Sequence, residues 1–187
     1  YGRSKLEAEE VVEAEREIAW TILRPGGVYG PGDVDYFELF KQVERGFDVY
    51  FGNRRRWFSA VYVDDMVSAA LMSATESATA GKGFFVCDGV PVTWELFQRA
   101  IVEASGRRVR TLDLPGFLVD LAAYGGELVT KLDGKPRLLN RQKAKMGAQK
   151  AWTCRSDALR ALGWTSRFTL DRGVRAALGW YREHKWV

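Results

Sequence analysis

Residues 18–33 read IAWTILRPGGVYGPGD and decide the fold of this chain. The apolar, β-branched run 18–23 predicts a buried strand, and the four glycines and two prolines of 25–33 predict a loop directly after it. Gly83–Cys87 is a second short apolar run and predicts a second buried strand. Strands buried on both faces are typical of a parallel sheet that is covered by helices.

Helical segments alternate with the predicted strands along the whole chain. Periodic apolar positions and capping residues predict helices over 4–16, 36–45, 64–77, 93–104, 114–132, 156–162 and 170–184. Further strands are predicted over 57–63 and 109–112. Leu6, Val11 and Val12 give the first helix a partial apolar face, and Asp64 or Asp65 is expected to cap the third. The alternation predicts an α/β fold with a mainly parallel sheet.

Composition narrows the possible classes of function. The chain has 187 residues, of which 47% are hydrophobic and 28% charged, so it can build a substantial core. Its net charge is +4, but only Arg54–Arg56 forms a dense basic run, which argues against a nucleic-acid partner. No apolar run approaches the length of about 18 residues needed to span a bilayer.

Cysteine and histidine usage excludes several kinds of site. Cys87 and Cys154 lie far apart in the sequence and form neither a C-x-x-C pair nor a disulfide framework, so a reducing, cytoplasmic setting is expected. His184 is the single histidine, which rules out a Ser-His-Asp triad and a histidine-based metal site. We therefore expect no metal.

Tyr1 and Lys5 are the residues whose pairing points to chemistry. They lie four positions apart on the first predicted helix, so their side chains share one face. An ammonium beside a phenol lowers the phenol pKa from about 10 towards neutrality. Such a tyrosine can exchange a proton with a hydroxyl or carbonyl group, and the lysine keeps donors for ribose hydroxyls. A Tyr-x-x-x-Lys spacing also arises by chance on an ordinary surface helix, and the pair alone does not exclude that alternative.

Several motifs accompany the pair in a fixed order. YGRSKLEAE at 1–9 is followed by LRPGGVYGPGD at 23–33, VYVDD at 61–65, LGW at 162–164 and WY at 180–181. This order and spacing resemble the extended short-chain dehydrogenase/reductase superfamily, also called the NAD-dependent epimerase/dehydratase family, over essentially the whole chain. The segments 114–136 and 180–186 resemble its branch of 3β-hydroxysteroid dehydrogenase-like, dihydroflavonol reductase-like and hopanoid-associated sugar epimerase-like proteins.

The resemblance implies roles for individual residues. Tyr1 matches the acid/base tyrosine of the superfamily, and Lys5 matches the lysine that binds the nicotinamide ribose and lowers the tyrosine pKa. A turn made of Pro25, Gly26, Gly27 and Val28 matches the backbone that contacts the nicotinamide carboxamide. The implied cofactor is NAD or NADP, and this chain does not decide between them.

Four further residues are candidates for contacts with substrate. Arg54 and Arg56 lie where some relatives that act on nucleotide sugars hold a phosphate, and the guanidinium fork suits that task. A solvated basic turn explains these arginines at least as well. Trp57 is expected near the substrate, and Tyr29 follows the proposed cofactor turn.

The resemblance also predicts the domain organisation. We expect the C-terminal part of a Rossmann-type, doubly wound parallel sheet, completed by residues near 1–27 and 83–90. A smaller α/β lobe for substrate would take most of 28–82 and 91–187. The family's Gly-rich phosphate loop and its catalytic Ser or Thr are not in this sequence, because the glycines of 27–32 have the wrong spacing for that loop. The chain by itself is therefore expected to be inactive, and to form a homodimer that covers its exposed sheet edges.

Two kinds of function follow from these expectations. The first is an NAD(P)-dependent oxidoreductase or epimerase that acts on a hydroxyl- or keto-bearing small molecule, either a nucleotide sugar or a sterol- or flavonoid-like compound. The alternative is a non-catalytic regulatory protein on the same fold that binds NAD(P) or RNA, because a fold does not fix a function.

Overall fold

The computed structural model describes residues 2–117 and 149–187. Its helices are α1 (Gly2–Ala14), α2 (Phe37–Glu44), α3 (Val63–Thr75), α4 (Trp94–Ser105), α5 (Asp157–Arg160) and α6 (Leu170–Glu183), with a 3₁₀ turn at Ser77–Thr79. Its strands are β1 (Thr21–Pro25), β2 (Gly27–Tyr29), β3 (Phe47–Phe51), β4 (Trp57–Phe58), β5 (Ala60–Tyr62), β6 (Lys82–Val86), β7 (Val92–Thr93), β8 (Arg110–Leu114) and β9 (Ala151–Trp152). The predicted helix 114–132 lies almost entirely outside the described residues.

Parallel pairing dominates the described strands. β1 pairs with β6, β2 with β5 and β3 with β8, all in parallel. β4 lies between β7, which is antiparallel to it, and β9, which is parallel. The prediction of an α/β fold with a mainly parallel sheet is confirmed.

The prediction that the β1 and β6 strands are buried on both faces is wrong for the described chain. β1 is only half-buried along its length, and in β6 only Phe84 and Val86 are buried. The buried face packs on α3 and on Trp164, while Phe85 on the opposite face is 49% exposed. Helices of the described chain therefore cover one face of this strand pair.

Some strand boundaries differ from the predictions because the chain passes from one sheet to another within a predicted strand. The predicted strand 57–63 is divided at Ser59 into β4 and β5, which join different sheets. β2 lies inside the predicted loop 25–33 and pairs with β5. β3 was not predicted, because its two inward-facing residues are Asp48 and Tyr50, so hydrophobic alternation gives no signal there.

The start of α3 also corrects a prediction. β5 runs directly into the helix, whose N-cap position is Tyr62 and has no side-chain cap bond. Asp64 is exposed in the first turn, whereas Asp65 is fully buried. Both oxygens of Asp65 accept hydrogen bonds from the backbone N–H groups of Arg167 and Phe168, each at 2.9 Å. The aspartate therefore fixes a loop about 100 residues away instead of capping its own helix.

Two hydrophobic clusters form the core. The larger cluster lies where α2, α4 and α6 pack on the short strands, and it contains the buried aromatic residues Tyr29, Phe40, Phe58, Phe97 and Tyr181. The smaller cluster packs α3 and α5 on β1, β5 and β6. α1 has no buried residue, and its apolar positions Leu6, Val11 and Val12 are exposed. The partial apolar face of α1 therefore stays uncovered in the described chain.

Candidate functional site

The helix that carries the Tyr-x-x-x-Lys motif is held to β1 by one ion pair. Nε of Arg24 donates to both carboxylate oxygens of Glu9 at 3.0 Å, and Nη2 donates to Oε2 at 2.5 Å. Glu9 is the one residue of α1 that is half-buried, and the others are exposed. The hydrogen bond with Arg24 lowers the pKa of Glu9, and the pKa of Arg24 is raised in return. The ion pair therefore fixes one face of α1.

Lys5 lies on the same side of α1 as the anchored residue Glu9. Lys5 lies four residues before Glu9, which puts it on the same face of the helix and about 6 Å further along the axis. Lys5 is exposed, and Tyr1 lies outside the described residues.

A glycine in β6 makes the ion pair possible. Gly83 pairs with Ile22 in the neighbouring strand, and a Cβ at this position would overlap the guanidinium group of Arg24. The arginine side chain crosses the sheet over this gap, with Phe85 beneath it at 5.9 Å from the ring centroid. Glu9, Arg24 and Gly83 thus combine, across the sequence, to anchor α1.

The turn Pro25–Val28 is hydrogen-bonded on both sides to the protein itself. The N–H of Gly26 donates to the carbonyl of Val86 at 2.9 Å, and the N–H of Gly27 donates to the carbonyl of Ser59 at 2.8 Å. These two N–H groups are therefore occupied, and they cannot also donate to a carboxamide. Val28 pairs with Val61 of β5 and packs against the smaller core cluster.

Packing requires glycine at both central positions of this turn. A Cβ on Gly26 would lie 2.5 Å from the carbonyl oxygen of Ser59, and one on Gly27 would overlap the phenol oxygen of Tyr36. Neither neighbour is on the N-terminal helix. Packing against Ser59 and Tyr36 therefore explains why these two residues are glycines. The absence of side chains also leaves the outer side of the turn open.

Trp57 lies near Ser59, whose carbonyl oxygen accepts a hydrogen bond from Gly27 of the turn. It precedes Ser59 by two residues, which is about 7 Å in an extended strand. Its side chain is 49% exposed, although β4 is bonded on both edges. An exposed indole at this place can contact an apolar ligand.

The two candidate arginines already have partners within the protein. Arg54 lies 3.5 Å from a Glu95 oxygen and 3.7 Å from an Asp113 oxygen, and its guanidinium group lies over the Tyr50 ring. Arg56 donates to the backbone carbonyls of Asn53 and Phe51 at 2.9 and 2.8 Å. Arg56 thus shapes the turn before β4, and the partners of both arginines compete with a phosphate for their N–H donors.

Tyr29 lies in the larger core cluster and is 1% exposed. Its ring contacts Tyr62 and Phe97 edge to face, with centroid distances of 5.6 and 5.2 Å. Burial raises its pKa, so the phenol stays protonated. We therefore leave Tyr29 out of the set of residues that contact substrate.

The residues that position the site were missed by sequence reasoning. Glu9 continues the four-residue spacing of Tyr1 and Lys5, which is a signal that could have been noticed. Nothing in the local sequence marks Ser59, whose carbonyl holds the turn.

No helix within 2–117 and 149–187 is long and apolar enough to cross a membrane.

Comparisons with known proteins agree with this architecture. Residues 1–115 match the family model described as the 3-beta hydroxysteroid dehydrogenase/isomerase family. A sterol-4-alpha-carboxylate 3-dehydrogenase (decarboxylating) of Saccharomyces cerevisiae is 26% identical over 98% of this chain and 56% of its own length. The short-chain dehydrogenase/reductase family 42E member 1 of Danio rerio is 31% identical over 72% of this chain and 39% of its own length. The resemblance found in the sequence is confirmed.

Among solved structures, UDP-glucose 4-epimerase of Thermus thermophilus in complex with NAD superposes with a TM-score of 0.69 at 17% identity. It matches 96% of this chain and 51% of the epimerase chain. At this identity the likeness shows the fold alone. The chain spans about half the length of the relatives that it matches.

Proposed function

Because the chain belongs to the 3-beta hydroxysteroid dehydrogenase/isomerase family, we propose that it carries the proton-transfer half of an NAD(P)-dependent oxidoreductase active site. The proposed reaction is the oxidation of a secondary alcohol to a ketone, or the reverse reduction. Relatives along the whole chain include a sterol dehydrogenase, which supports an alcohol on an apolar ring system as substrate.

The observation that carries this proposal is the ion pair between Glu9 and Arg24. We infer that this anchor turns the helix face that bears Lys5 towards the carboxyl end of β1, where the Pro25–Val28 turn begins. Ligands of open α/β sheets bind at the carboxyl ends of the strands, so this is the edge at which a nicotinamide ring is expected. A chance Tyr-x-x-x-Lys spacing on a surface helix would not require such an anchor.

The described residues fit a nicotinamide ribose at this edge. Lys5 is exposed on the anchored face, and no side chain projects from Gly26 or Gly27 over the turn. A bound nicotinamide cofactor would supply the acceptor or donor of a hydride. Lys5 would donate hydrogen bonds to ribose hydroxyls and would stabilise the ionised form of the Tyr1 phenol. Tyr1 would take the proton from the substrate hydroxyl, or return it in the reverse direction.

The surroundings of the arginines favour an uncharged substrate over a nucleotide sugar. The guanidinium groups of Arg54 and Arg56 already contact carboxylates and backbone carbonyls, so only part of each guanidinium fork is left for a phosphate. Trp57 instead offers an exposed aromatic surface about 7 Å from Ser59 along the strand. A sterol-like ring system matches this chemistry because burial of its apolar surface against an indole is favourable.

The proposal is tested by the binding of nicotinamide mononucleotide, which is the nicotinamide half of NAD. The 187-residue chain should bind nicotinamide mononucleotide with a dissociation constant on the order of 1 mM, because few contacts are available to so small a ligand. Amide shifts in a ¹H–¹⁵N NMR titration should cluster in α1 and in residues 25–28. Adenosine diphosphate should cause no shifts there, since the pyrophosphate cradle of the superfamily is not in this sequence.

A variant of the motif and a matched control on the same helix complete the test. Lys5→Met should weaken the binding of the mononucleotide at least fivefold, whereas Arg3→Met, which replaces another exposed cation of α1, should leave it unchanged. The isolated chain should not reduce NAD⁺ or NADP⁺ in the presence of a 3β-hydroxysterol. If the mononucleotide shifted only residues remote from the 25–28 turn, or if both variants bound it equally well, the proposed site would be wrong.

A further inference from the structure

The two cysteines of the chain meet behind the Pro25–Val28 turn, although 67 residues separate them. The Cys87 thiol donates to the backbone carbonyl of Cys154 at 3.3 Å. Cys87 follows the last residue of β6 and is fully buried, whereas Cys154 follows β9 and is partly exposed. One thiol is thus shielded, and its neighbour can be reached from solvent.

Two buried serines hold the cysteines in this arrangement. The Ser59 hydroxyl accepts from the N–H of Cys154 at 3.1 Å and lies 3.2 Å from its carbonyl oxygen. The Ser156 hydroxyl accepts from the N–H of Cys87 at 2.7 Å and lies 3.3 Å from its sulfur. Both cysteine backbones are therefore fixed by side chains that are 1–2% exposed. Such rigidity favours a bond between the pair over random encounters with other thiols.

The charge state of the pair suits exchange chemistry. The neighbouring Cys154 thiol lowers the pKa of Cys87, and the Ser156 hydroxyl acts in the same direction against the effect of burial. The pKa of Cys154 is raised by the same partner, because one proton shared by the two sulfurs stays on Cys154. The buried sulfur is thus the better resident nucleophile.

We propose that Cys87 and Cys154 are a redox-active pair that a low-molecular-weight disulfide converts into an intramolecular disulfide bond. The partly exposed Cys154 attacks the small disulfide while the neighbouring Cys87 thiolate accepts its proton; a mixed disulfide forms, and the one thiolate released takes that proton back from Cys87. The Cys87 thiolate then attacks the Cys154 sulfur and expels the second thiolate. Two electrons pass from the two protein thiols to the small disulfide, and the two released thiolates take up the two protons.

The bond would act on the elements around the turn. β9 is paired with β4, and the N–H of Ser59 donates to the carbonyl of Trp152 at 3.0 Å. A covalent link from Cys87 to Cys154 would therefore tie the end of β6 to the β4–β9 pair. The carbonyl of Ser59 in turn accepts from the N–H of Gly27. The disulfide would therefore restrict the motion of the strand that holds the Pro25–Val28 turn.

The test is an equilibrium titration of the 187-residue chain in glutathione buffers of increasing oxidised-to-reduced ratio. After acid quenching and alkylation, the oxidised chain should have a mass lower by two hydrogens, and digestion should give a single linked peptide that contains both cysteines. The melting temperature of the oxidised chain should rise by about 5–10 °C, since the bond closes a long loop in the unfolded chain.

Cys154→Ser and Cys87→Ser are the matched variants, and neither should lose two hydrogens or gain melting temperature in oxidising buffer. The wild-type chain decides the question even if Cys87→Ser folds poorly. Persistent single glutathione adducts, disulfide-linked dimers, or two separately alkylated thiols at every ratio would each overturn the proposal.

Discussion

Replacing Asp65 by asparagine tests whether this buried carboxylate clamps the loop before α6. Both oxygens accept backbone N–H donors at 2.9 Å, from Arg167 and Phe168. The amide of asparagine has one acceptor oxygen, so one of the two N–H groups would face an NH₂ group instead. The side chain at 65 has no exposed surface, so water cannot replace the lost acceptor without opening the loop.

The expected loss of stability follows from these bonds. A buried donor left without an acceptor costs about 1–3 kcal/mol, and hydrogen bonds to a charged acceptor contribute about 1.5–3 kcal/mol each. Relief of the desolvation of the carboxylate offsets part of this loss. We therefore expect Asp65→Asn to lower the free energy of unfolding by about 1–3 kcal/mol, which corresponds to roughly 2–10 °C in melting temperature.

Urea denaturation followed by circular dichroism gives the free energy, and hydrogen exchange at the Arg167 and Phe168 amides gives the local effect. The matched control is Asp64→Asn, because Asp64 is the adjacent, exposed residue of the same motif. It should change stability by less than about 0.5 kcal/mol. Equal stability of the two variants, with unchanged exchange at both amides, would refute the clamp.

Three further outcomes are expected. Gly27→Ala should destabilise the chain by about 1–3 kcal/mol, since its Cβ would overlap the phenol of Tyr36, whereas Gly2→Ala meets open space and should be neutral in the same melts. Because its ion pair lowers the pKa of Glu9 from the ordinary value of 4.5, the contact should persist above about pH 4.5 and be lost as the pH falls through the lowered pKa. Hydrogen exchange across α1 should therefore become faster on acidification, and also in Glu9→Gln at neutral pH. The control is Glu7→Gln, which removes an exposed ion pair with Arg3 and should leave the exchange rates at neutral pH unchanged. The exposed apolar positions of α1 predict self-association, so light scattering should give a dimer mass at high concentration, and a monomer at every concentration would contradict this.

The elements with strong local patterns could be predicted from the sequence. α4 begins where it was predicted to, with the Thr93 hydroxyl as its cap accepting from the N–H of Leu96, and it ends at Gly106 with a left-handed backbone. The Thr169 cap of α6 follows the same rule. These signals lie within a few residues of each other, so they act before any tertiary contact forms.

Prediction failed where the tertiary environment overrides the local pattern. β3 buries Asp48 and Tyr50, so its alternation runs against the hydrophobic rule. The apolar run 18–23 predicted a strand, but the observed strand is shifted to Thr21–Pro25, and Ile18 is 69% exposed. Apolar character indicates that a segment can be buried, and only packing decides which residues are covered.

The sequence by itself determined the helices of the described residues, the parallel α/β class and the spacing that puts Lys5 and Glu9 on one helical face. Tertiary structure alone decided that Glu9 meets Arg24, that Cys87 meets Cys154 and that Asp65 holds the 167–168 loop, across separations of 15, 67 and 102 residues. The physical reason is one of range. Capping and periodicity act over about four residues, whereas these contacts depend on how the strands and helices pack, which no local segment encodes.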